Sequence, residues 1–84
     1  MVDATAVVVK GTGPSVGINF VEMTFTKANA TDVVNIPAGY GTTVVMSIVQ
    51  AEATGVPDPA TATSSLAVTL SVGTGAMHGL FLVR

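Results

Sequence analysis

The chain has 84 residues, enough for one domain, and carries a net charge of −2 with only three basic residues, Lys10, Lys27 and Arg84. That balance excludes a nucleic-acid binder, which needs a basic patch making several phosphate contacts. With no Cys and one histidine, His78, disulfide staples and a zinc site held by one subunit are excluded too, and no apolar run approaches the roughly 18–20 residues of a membrane span.

Charged residues make up 10% of the chain, against about 25% in ordinary soluble domains. Much of the surface is therefore neutral, covered by Thr, Ser, Gly and Ala. A chain of this length buries only about 60–65% of the surface that its unfolded form exposes. Without Cys or a metal site, the remaining supplement for such a thin core is a partner subunit. The start, Met1-Val2-Asp3, lacks the basic and apolar regions of a signal peptide, so the mature chain is expected to begin near Met1.

In chain order, residues 4–10 end in the β-branched run Val7-Val8-Val9 and predict a first strand, closed by a turn at Gly11-Thr12-Gly13-Pro14. Residues 18–26 alternate, with Val21, Met23 and Phe25 on one face and Glu22, Thr24 and Thr26 on the other, which predicts a half-buried strand. Lys27-Ala28-Asn29-Ala30 reads as a turn, and residues 31–36 as a short strand stopped by Pro37-Ala38-Gly39. Residues 42–53 are the longest stretch without Gly or Pro, and they are apolar on both faces. That predicts the central strand, with Val44, Met46 and Ile48 on one side and Val45, Ser47, Val49 and Ala51 on the other.

Residues 54–65 hold two prolines and small polar residues with no period, and predict a long loop or arm. Leu66, Val68, Leu70 and Val72 then alternate with polar or small residues as a further half-buried strand, Gly73-Thr74-Gly75 turns it, and residues 79–84 form the last strand. No segment shows helical spacing. The expectation is a single all-β domain over residues 1–84, a small β-sandwich or partly closed barrel of about six strands.

No constellation of side chains performs chemistry. Gly11-Thr12-Gly13-Pro14-Ser15-Val16-Gly17 follows a valine-rich strand, but a phosphate-cradling loop must open a helix, and the alternation after it indicates a hairpin. His78 has no clustered carboxylate or placed nucleophile in the sequence, and the acids Asp3, Glu22, Asp32, Glu52 and Asp58 are scattered one per segment. No catalytic residue, no cofactor and no metal ligand is expected, and the chain reads as a non-enzyme.

The low-charge Thr/Val/Ala strands, the segment Asn35-Ile36-Pro37-Ala38-Gly39-Tyr40-Gly41 and the closing Gly73-Thr74-Gly75-Ala76-Met77-His78-Gly79-Leu80-Phe81-Leu82-Val83-Arg84 resemble the small all-β virion proteins of tailed bacteriophages, most of all capsid decoration (cement) proteins. The resemblance implies a homo-oligomer, with a trimer as the expected state. It would be made in the host cytoplasm and sit on the capsid surface against the major capsid protein, docking through a terminus or the 54–65 arm. The alternative is a binding module for a carbohydrate or other surface ligand. That module needs exposed aromatic rings, and Phe20, Phe25, Tyr40 and Phe81 are the whole aromatic inventory.

Overall fold

The computed structural model describes residues 2–15 and 18–84. The fold is all-β, as the sequence predicts, and is built from two antiparallel sheets, with no closed barrel among the described residues. The described residues form seven strands: β1 (Thr5–Ser15), β2 (Ile18–Lys27), β3 (Val33–Asn35), β4 (Val44–Ala51), β5 (Ala62–Ser64), β6 (Ala67–Thr69) and β7 (Gly75–Val83). One sheet has the order β1-β2-β7-β4 and the other β3-β6-β5. Among the described residues no helix is long and apolar enough to cross a membrane.

Strand β2 behaves as its alternation requires. Val21, Met23 and Phe25 are buried while Glu22, Thr24 and Thr26 are only partly covered. Its partner β7 aligns with it from Asn19↔Val83 to Lys27↔Gly75 without a register shift, so Met77, Phe81 and Val83 enter the same layer. Phe25 and Phe81 meet with ring centroids 6.4 Å apart and tilted by 40°, a favourable arrangement for two aromatic quadrupoles. Gly79 makes room for them: a Cβ there would lie 2.7 Å from Phe81 Cε2 and 3.3 Å from Phe25 Cε1. The opposing sheet and its flanks supply Val34, Ile36, Val68 and Leu70, which close the core.

Four expectations are corrected. Residues 42–53 do not form the central strand. Among the described strands β4 pairs only with β7, at the edge of its sheet, and the centre belongs to β2 and β7. Its side chains also part differently, because the register shifts between Val44 and Met46. A bulge at Val45 reverses the phase, so Val44 and Val49 are buried while Met46 and Ile48 face outward.

The turn expected at Gly11-Thr12-Gly13-Pro14 is strand. β1 continues to Ser15, which pairs with Ile18, and Pro14 is tolerated because β1 is an outer strand. Residues 16 and 17, the rest of that motif, lie outside the described ones.

The 54–65 segment is not a free arm. Its last part is β5, paired to β6, and its middle lies along the open edge of β4: Ala51 N–H donates to Val56 O at 3.0 Å and Asp58 N–H to Val49 O at 2.8 Å. Proline and small residues hide this from periodicity, since three residues are enough to cap an edge.

Asp58 fixes that segment. Its Oδ1 accepts from the backbone N–H groups of Ser71 at 2.9 Å and Val72 at 2.7 Å, and its Oδ2 meets Lys27 Nζ at 2.5 Å. Lys27 also donates to Val72 O at 3.1 Å. Lys27 is thus no turn residue: it ends β2 and points inward. A second carboxylate, Asp32, ties the β2–β3 connection by accepting from the N–H groups of Ala28 at 2.8 Å and Asn29 at 3.0 Å. These hydrogen bonds, that of Asn29 foremost, hold its carboxyl below the usual carboxylate range.

Candidate interaction surface

The solvent side of the four-stranded sheet follows from the register. Alternation places Phe20, Glu22 and Thr24 of β2 outward, and pairs them with Leu82, Leu80 and His78 of β7. The bulge in β4 then brings Met46 beside Leu82, Ile48 beside Leu80 and Gln50 beside His78. Cross-strand rows therefore run Phe20, Leu82, Met46 and Glu22, Leu80, Ile48. Phe20 is 40% exposed, Met46 53%, Ile48 59% and Leu80 37%. Isolated apolar side chains on a surface need no explanation, but neighbours in adjacent rows form a patch of the kind that marks an interaction site.

Gly11 and Gly13 of β1 lie opposite Glu22 and Phe20. Lacking side chains, they leave a shallow hollow beside Phe20 and Leu80. A second hollow opens between Ile48, Gln50, His78 and Leu80, over Gly79. The patch is thus an undulating apolar surface with two recesses, wider than a small-molecule cleft.

One end of this face carries a cluster of mixed charge, Glu22, His78 and Glu52 with Lys10 beside Glu52. His78 Nε2 is 2.6 Å from Glu22 Oε2, and its Nδ1 is 4.0 Å from Glu52 Oε1, with all three side chains a little under half exposed. The opposite end carries Arg84, exposed at the end of the chain and tied to the start of β4 by hydrogen bonds with Thr43. From His78 to Arg84 along β7 is about 20 Å at the usual strand rise. The face therefore has charged groups towards both ends of a mainly apolar middle.

The His78 imidazole is hydrogen-bonded to Glu22 alone, Glu52 standing beyond hydrogen-bond distance, and no nucleophile is hydrogen-bonded to it among the described residues. No group of three or more His, Cys, Asp or Glu able to hold a metal is present among those residues. Of the four aromatic side chains, Phe25 and Phe81 are internal, which leaves Phe20 and Tyr40 for a ligand to stack on.

The apolar patch is hidden in the sequence, because two apolar faces on residues 42–53 fit a central strand as well as an edge strand with an open outer face. The available signal was the combination of that stretch with Phe20 and Leu80, each on the side of its strand opposite the core residues. Comparison with known proteins gives no match: no family model, no curated protein and no solved structure matches this chain.

Proposed function

We propose that the chain is a structural protein of a virus particle, a decoration subunit that works as a homo-oligomer on an assembled shell, with the major capsid protein as its partner. The observation that carries this reading is the exposed outer face of Phe20, Met46, Ile48 and Leu80, on a chain with too few charges to keep such a face apart from its copies. Its composition and closing segments, which resemble decoration proteins, supply the setting.

The occupant of the outer face is a second copy. Turning one copy antiparallel to another sets Phe20, Met46, Ile48 and Leu80 of each against those of the other, as a two-fold contact requires. Such pairing makes a dimer the minimal unit, in place of the trimer expected from the resemblance. Shell contact then falls to the outer strand β5, whose three residues are all exposed, a fixed edge where the sequence suggested a mobile arm.

Two measurements test the reading. Purified protein added to shells that lack it is expected to bind saturably, and shells that take up none refute decoration. Light scattering coupled to gel filtration is expected to give a dimer. A trimer refutes two-fold packing, and a stable monomer of 8.4 kDa refutes self-association.

A further inference from the structure

Lys27 and Asp58 form a buried pair that the outer face does not use. Their side chains are 0% and 1% exposed, with Nζ 2.5 Å from Oδ2. The other carboxyl oxygen, Oδ1, is held by two backbone N–H groups, those of Ser71 and Val72. The amine thus meets one side of the carboxyl group while fixed donors grip the other, and Val72 O orients the amine.

We propose that Lys27 and Asp58 condense within the folded chain into an isopeptide bond between Nζ and Cγ. In a site closed to water, transfer of a proton from the ammonium to Oδ2 leaves a neutral amine beside a carboxylic acid and removes two buried charges. Attack of the amine on Cγ moves negative charge onto Oδ1, where the Ser71 and Val72 N–H groups already point, an arrangement that stabilises such an oxyanion. The Nζ–Cγ bond forms and the Cγ–Oδ2 bond breaks. Of the three ammonium protons one stays on the amide nitrogen, and two leave with Oδ2 as water. No external reagent enters, and contact within the fold replaces a bimolecular encounter.

Two further features favour this route. Asp58 is followed by Pro59, which has no N–H, so the carboxyl cannot close onto the next backbone nitrogen in the usual competing loss of water. Asp32, the other carboxylate acting on Lys27, is already occupied by the N–H groups of Ala28 and Asn29. The bond would link positions 31 apart in sequence, pinning the 56–58 edge cap to β2 in a chain that has no Cys for a disulfide.

With only three basic residues the test is direct. The purified full-length chain is weighed intact, then denatured and cut with trypsin. A free Lys27 gives fragments 1–10, 11–27 and 28–84, whereas an acylated Lys27 is not cut and gives 1–10 and 11–84. The expected result is an intact mass lighter by one water, a 11–84 fragment carrying that loss, and Lys27→Arg protein at its full sequence mass. An intact mass equal to the sequence overturns the proposal. Loss of water with complete cleavage after Lys27 overturns it too, since the water then came from elsewhere.

Discussion

The two faces of the four-stranded sheet are made by alternate residues of the same strands, yet only one is satisfied within the chain. Inward, Val21, Met23, Phe25, Met77, Phe81 and Val83 are buried against the second sheet. Outward, Phe20, Met46, Ile48 and Leu80 have comparable apolar bulk and remain open to water. The inner face therefore specifies the fold, and the outer face is the one we propose to meet a second copy. Substitutions on the two faces should separate these roles, because a side chain on one face contributes little to the other.

The largest effect is expected inside. Phe81→Ala removes a ring packed on Phe25 and should cost about 3–5 kcal/mol, most of the stability of a domain this small. Urea unfolding of the purified variant checks it, and a midpoint near that of the parent chain would show that the core lies elsewhere. On the outer face, Ile48→Glu should change fold stability by no more than about 0.5 kcal/mol. It should nevertheless abolish self-association, because a carboxylate would then be buried in an apolar contact next to Leu80.

A third substitution acts at neither face. The Asp32 carboxyl is depressed below its ordinary 3.8 by the N–H groups of Asn29 and Ala28. A depressed carboxyl contributes stability above its unfolded value, and that contribution is lost as the pH falls through the folded value. Asp32→Asn should therefore lower the melting temperature at neutral pH, with the gap to the parent chain narrowing below about pH 3.8. A gap that is constant with pH would show that charge on Asp32 is irrelevant.

The smallest expected effect is a gain. Ser65 has φ 53° in the connection between β5 and β6, a left-handed conformation that glycine adopts freely. Ser65→Gly should stabilise by roughly 0.5 kcal/mol or less, since relief of about 1 kcal/mol of strain is partly offset by glycine's freedom in the unfolded chain. A lower melting temperature would contradict that balance.

How far the sequence was legible follows the strength of local patterning. Strand β2 was clear because six consecutive positions alternate cleanly, and extending that parity by one step puts Lys27 inside, where the expected turn concealed it. β7 was cut short to residues 79–84 because Gly75 and Gly79 weaken a strand pattern, although Gly79 is there for the Phe25 and Phe81 rings. The position of β4 was misread since apolar residues on both faces fit either a buried strand or an edge strand with a partner still to come. Register decides between these, and register depends on long-range pairing and a bulge at Val45 that no local period shows. The Lys27 and Asp58 contact was illegible for the same reason, being made across 31 positions.

Cover of the outer face by a second copy, as we propose, is tested most directly by the mass of the protein in solution. Light scattering coupled to gel filtration at micromolar concentration, run on the parent chain and on Ile48→Glu, is expected to give twice the 8.4 kDa chain mass for the first and the single chain mass for the second. A monomeric parent chain, or a variant that associates as fully as the parent, would contradict it.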